Sequence, residues 1–68
     1  MTHTFYLREE LERSGISITF IAKKMGISRE GLYNKLNNQT EFKASEIVAL
    51  SEILNLSTDK RDKIFFAS

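Results

Sequence analysis

Residues 18–37, ITFIAKKMGISREGLYNKLN, decide the fold. Ile21, Ala22 and Met25 recur at helical spacing and form one apolar stripe. Gly26 follows at once, and a glycine after the last periodic residue stops a helix because it takes a positive φ without a Cβ clash. Ile27 is apolar and is expected to plug the core at the corner. Ser28 is a good N-cap, since its hydroxyl can accept an orphan backbone N–H of the next helix. Leu32 and Leu36, four apart, turn one side of that helix inward, leaving Arg29, Glu30, Tyr33 and Asn34 on the other. Two short helices joined by a tight turn are therefore predicted, the second from about Arg29 to Leu36.

This arrangement resembles the helix-turn-helix of the phage repressor and Cro family, often called the XRE family. The resemblance is carried by the small residue Ala22, by Gly26 four positions later, by Ile27, by apolar Leu32 ten after Ala22, and by the tail Lys35-Leu36-Asn37-Asn38. The family often has glutamine at the first motif position, where it helps hold a phosphate; Ile18 stands there in this chain. The resemblance implies an all-α, five-helix, lambda-repressor-like domain spanning residues 1–68. It also implies a sequence-specific DNA-binding transcriptional regulator, a Cro-like repressor.

Composition agrees with one small helical domain. Sixty-eight residues can bury only a modest core. There is no cysteine, which excludes disulfides and cysteine metal sites and fits a reducing cytoplasm. With no proline, three glycines and many Leu, Ile, Glu and Lys residues, helix is the favoured element. No apolar run approaches the roughly 20 residues that span a bilayer, and the N-terminus lacks the layout of a signal peptide. No membrane association and no small-molecule substrate or cofactor are expected.

The net charge of +1 argues little, but its distribution argues more. Residues 19–43 carry Lys23, Lys24, Arg29, Lys35 and Lys43 against Glu30 and Glu41, an excess of +3, whereas the flanking segments each sum to −1. Such a basic patch is the footprint of nucleic-acid binding, although a solvated lysine-rich face carries the same charge.

The remaining segments read as helices around this motif. Thr4 caps a first helix ending at Ser14 before Gly15, with Phe5, Leu7 and Leu11 apolar and Arg8 paired to Glu12 on the surface. Ser17 caps the second helix, where Phe20 is expected to pack partly inward. Lys23 and Lys24 suit either the helix macrodipole or a nearby phosphate. Gly31 lets the third helix lie close to something, either the second helix or a DNA backbone. Asn37, Asn38, Gln39 and Thr40 are turn-formers that can also grip phosphate, as the comparable loop does in the resembling family. Phe42 anchors that loop. Ile47, Leu50 and Leu54, widened by Val48 and Ile53, give a fourth helix over about Ala44–Leu54, closed by Asn55. Ser57 caps a last helix ending in Ile64, Phe65 and Phe66. Adjacent phenylalanines on a helix cannot both face one narrow core. The expected core is Leu7, Leu11, Ile21, Ala22, Met25, Ile27, Leu32, Leu36, Phe42, Ile47, Leu50 and Leu54.

In the leading functional reading the third helix enters the major groove, about 12 Å wide, with its N-terminal residues at base edges. Ser28, Arg29, Glu30, Tyr33 and Asn34 are the candidate base contacts; Arg29 can pair with guanine and Asn34 with adenine. Lys23, Lys24, Lys35, Asn37, Asn38, Gln39, Thr40 and Lys43 are the candidate phosphate contacts. The partner is a double-stranded operator, and a homodimer through Ile64, Phe65 and Phe66 would read its two halves. The alternative is a protein-binding module, such as an antirepressor or an antitoxin-like subunit. An enzyme is not expected: the chain has no cysteine, one terminal histidine and no phosphate-cradling glycine loop. Glu46 and Glu52 read as residues of a solvated helix surface.

Overall fold

The computed structural model describes residues 2–66. Among them are five helices and no strand: α1 (Thr4–Ser14), α2 (Ile18–Met25), α3 (Arg29–Leu36), α4 (Ala44–Ile53) and α5 (Thr58–Phe65). None is long and apolar enough to cross a membrane.

The punctuation is local chemistry. Ser17, Ser28 and Ser57 each hold extended backbone and accept, through Oγ, the N–H of Phe20, Gly31 and Lys60 respectively. Gly26 ends α2 at φ +74°, and the Ile27 N–H returns 3.0 Å to the Ala22 carbonyl. A Cβ at Gly26 would meet nothing within 4 Å, so the glycine is required by its backbone angle and not by crowding. Asn55 closes α4 at φ +53°, a left-handed conformation asparagine tolerates.

Two expectations at α1 change. Thr4 is the first helical residue, not the cap. His3 takes the cap position without a side-chain bond, and its N–H donates to the Ile64 carbonyl at 2.6 Å, tying the chain start to α5. Arg8 does not pair with Glu12; it reaches across to the end of α3.

The core is Leu7, Leu11, Ile21, Ala22, Leu32, Leu36, Phe42, Leu50, Ile64 and Phe65, with Met25, Ile27, Ile47 and Leu54 half-buried against it. α2 packs on α3 and α4, while α1 packs on α3 and α5. Ile64 and Phe65 thus belong to the monomer core, which corrects their assignment to a dimer surface. Phe65 stands edge-on to Phe42, ring centroids 5.4 Å apart, and closes the core beneath the loop after α3. Phe66, next along the helix, is 60% exposed. Phe20 (47%) and Val48 (58%) are also exposed, because each lies on the shoulder of its stripe beside the buried Ile21 and the half-buried Ile47.

Candidate nucleic-acid interface

α2, the turn Gly26–Ser28 and α3 form one continuous unit held by the core contacts of Ile21, Ala22, Leu32 and Leu36. With these residues inward, the opposite side of α3 presents Arg29, Glu30 and Tyr33 to solvent, with Asn34 half-buried. Ser28 is exposed at the helix start. Its oxygen accepts the Gly31 N–H at 2.9 Å, so its own O–H stays available as a donor. That cap also explains Gly31: a Cβ there would stand 3.1 Å from Ser28 Oγ, so the close neighbour is the capping hydroxyl of the same turn. Glu30 makes no bond to Arg29 among the described residues, and Arg29 has no acidic partner there.

The loop after α3 is tightly tied. Asn37 N–H donates to the Tyr33 carbonyl, Asn38 N–H to Lys35, and both Gln39 and Thr40 N–H to the single Asn34 carbonyl, at 2.8 and 3.4 Å. Asn38 sits at φ +60°. These four backbone donors are therefore spent on α3 carbonyls, and at residues 37–40 only side chains remain to meet an anion. Asn38, Gln39 and Thr40 are exposed. Asn37 is exposed too, but its Oδ1 already accepts from Arg8 at 2.7 Å; the same guanidinium nitrogen reaches the Leu36 carbonyl at 3.2 Å.

Of the candidate cations, Lys23, Lys24 and Lys43 are exposed and have no acidic partner among the described residues; Lys24 lies over the Phe20 ring, 5.7 Å from its centroid. Lys35 departs from expectation. It is 8% exposed, and its Nζ lies 3.0 Å from Glu46 Oε1 and 3.1 Å from the Glu41 carbonyl, which it serves as donor. Lys35 is therefore not one of the cations presented to an anion, because its charge is spent inside the fold. Glu46 is likewise buried, not solvated, and its Oε1 also accepts the Lys43 N–H at 2.8 Å. Burial alone would raise the Glu46 carboxyl, but the Lys43 N–H and the Lys35 ammonium outweigh it and hold its pKa below the ordinary value.

Arg8 and Glu46 were missed as contributors to this region. Glu46 carried a readable signal: a glutamate three residues after a helix N-cap commonly folds back on the cap's N–H, and Lys43 is that cap. Arg8 carried none, since its acceptors lie 28 and 29 residues away.

The geometry defines a small all-α domain with a three-residue turn between two short packed helices and a braced polar loop behind them. Residues 7–68 match the family described as "Protein of unknown function (DUF739)", and the chain belongs to that family. No curated protein and no solved structure matches it.

Proposed function

We propose that the chain is a sequence-specific DNA-binding transcriptional regulator of the Cro-like repressor kind, acting in the cytoplasm on a double-stranded operator. The observation that carries this reading is the segregation of uncommitted cations. Lys23, Lys24, Arg29 and Lys43 have no acid partner among the described residues and all belong to residues 19–43. Every cation of α1 and α5 is engaged by a carboxylate, a carbonyl or a ring. Of the four in residues 19–43, Lys24 lies over the Phe20 ring, which leaves Lys23, Arg29 and Lys43 with no side-chain partner among the described residues. Unspent positive charge beside a polar helix face is what a polyanion with readable base edges requires. Arg29 and Asn34 would read bases, with Ser28, Glu30 and Tyr33 beside them. Lys23, Lys24, Lys43 and the side chains of Asn37–Thr40 would hold phosphates.

One helix reads too few base pairs for a unique address, and two copies on a palindrome with half-sites about 10 base pairs apart would solve this. The proposed contact centres on Phe66, whose exposed ring lines an apolar groove with Ala44, Ile47, Val48 and Arg61. Selection of bound DNA from a random pool, followed by titration at several salt concentrations, tests the reading. Enrichment of a palindromic sequence with salt-dependent affinity supports it; no enrichment and no binding at low salt overturns it. Sedimentation of the parent and of Phe66→Ser with the selected DNA tests the dimer. A parent that binds a single half-site as well as the palindrome removes it.

A further inference from the structure

The segment between α3 and α4 is held in two different ways. Its first half, residues 37–40, is tied by backbone bonds to α3 carbonyls. Its second half, residues 41–43, is bracketed by the Lys35–Glu46 pair. Lys35 Nζ donates to the Glu41 carbonyl, Glu46 Oε1 accepts from the Lys43 N–H, and the buried Phe42 lies between Glu41 and Lys43 in the chain. Lys35 Nζ also lies 5.8 Å from the Phe42 ring centroid. A buried ion pair is a poor way to gain stability, because desolvation offsets its attraction and apolar residues of similar volume commonly do as well or better. What an apolar pair could not do is satisfy the Glu41 carbonyl and the Lys43 N–H.

We infer that Lys35, acting with Glu46, is a positioning residue for the loop: it fixes the backbone at both ends of Glu41–Lys43, and with it the stations of the exposed Asn38, Gln39, Thr40 and Lys43 side chains. The geometry stands on the fold alone; the ligand, a row of backbone phosphates, rests on the function proposed above. Lys35 serves affinity without touching the anion, and this separates it from the exposed lysines. A lysine that neutralises a phosphate releases a counterion, so its loss makes the salt slope shallower by about one. Loss of a positioning lysine weakens binding and leaves the slope alone.

The test uses Lys35→Met, Glu46→Gln and the double variant Lys35→Met/Glu46→Leu, the last because an apolar pair restores the fold where a single variant strands a charge. Each is melted, its loop amide exchange is measured without DNA, and its affinity for the selected DNA is read at several salt concentrations. In the folded double variant, exchange at Gln39 and Thr40, whose N–H groups donate to the Asn34 carbonyl and not to the altered side chains, is expected to rise about tenfold, the factor that corresponds to roughly 1.4 kcal/mol. Affinity is expected to fall by a similar factor on every sequence, with the parent's salt slope. Parent-like loop exchange in that variant overturns the inference. So does a slope reduced by one, which would make Lys35 a phosphate ligand. A parent that binds no DNA overturns the proposed function instead, and the exchange measurement then decides the positioning role by itself.

Discussion

The α1–α5 side of the molecule and the α2–α3–loop side carry similar numbers of cations but use them differently. On the first side Lys60 reaches Glu10 at 3.4 Å, Arg13 reaches the same carboxylate at 3.2 Å, Arg61 holds Asp62 at 3.0 Å, and Lys63 lies 4.1 Å from the Tyr6 ring centroid. On the second, Lys23, Lys24, Arg29 and Lys43 have no acid partner among the described residues, Lys24 meeting only the Phe20 ring at 5.7 Å, and the neighbouring Lys35 is withdrawn into the fold to shape the loop. Charge spent internally cannot attract a ligand, and charge left free is repelled by its like neighbours until a ligand arrives. The same residue type thus has three duties here: surface pairing, internal bracing and presentation. Net charge along the sequence cannot tell them apart.

The largest expected effect is on the internal brace. Glu46→Ala strands the Lys35 ammonium in a site only 11% exposed and frees the Lys43 N–H, and should cost about 3 kcal/mol in denaturant unfolding. A cost under about 0.5 kcal/mol would move Lys35 into the class of surface pairs and collapse the comparison. The sign with pH follows from the carboxylate. Its folded pKa is depressed below the ordinary 4.5 by the Lys43 N–H and Lys35, against the opposing effect of burial. Its contribution is therefore full above that ordinary value and is lost as pH falls through the lower folded value. Unfolding free energy measured from neutral to acid pH should fall less steeply for Glu46→Gln than for the parent in that window.

The next effect separates presentation from stability. Arg29→Ala should weaken binding to the best site by about 1–3 kcal/mol and relax the choice of base there. Its melting temperature should stay near the parent's, since Arg29 is exposed and makes no side-chain bond among the described residues. Equal loss on every sequence would place Arg29 with the lysines proposed to hold phosphates.

How much of this was legible in the sequence depends on the range of the interaction. The three serine caps, the stops at Gly15 and Gly26 and the inward stripe of α3 are signals spread over four residues or fewer, and all are found in the structure. The fate of Phe65 and Phe66 was legible as a division, because adjacent helix residues diverge by roughly 100°. It was not legible as an assignment, because which ring turns inward depends on Phe42, more than twenty residues earlier. Lys35 sits beside Leu36 and three after Leu32, hence on the edge of the buried stripe. Only a carboxylate eleven residues away lets it stay there. Lys35 and Lys43 look alike in the sequence for that reason, and differ in the fold.

Lys43→Ala sharpens that difference at lower cost. The Lys43 backbone N–H, not its side chain, bonds Glu46, so alanine leaves the brace in place. Stability should change by less than about 0.5 kcal/mol. Binding should weaken alike on all sequences, with a salt slope shallower by about one. An unchanged slope would make Lys43 a bystander and leave Lys23, Lys24 and Arg29 as the presented cations.

The smallest effect belongs to the paired side and serves as its control. Lys60 is about half exposed, and its contact with Glu10 at 3.4 Å is long for a charged hydrogen bond. Water screens such a pair, and holding two long side chains together costs rotamer entropy, so Lys60→Ala should cost only about 0.2–1 kcal/mol. Glu10 keeps Arg13 at 3.2 Å in either case, which reduces the effect further. Affinity for DNA should change only through long-range charge, which falls away beyond a Debye length of about 8 Å at physiological salt. Lys60→Ala and Lys43→Ala remove the same charge from the chain. If they shift the salt slope equally, the distinction between spent and presented cations is wrong and net charge alone governs binding; if only Lys43→Ala shifts it, the binding face is confined to residues 19–43.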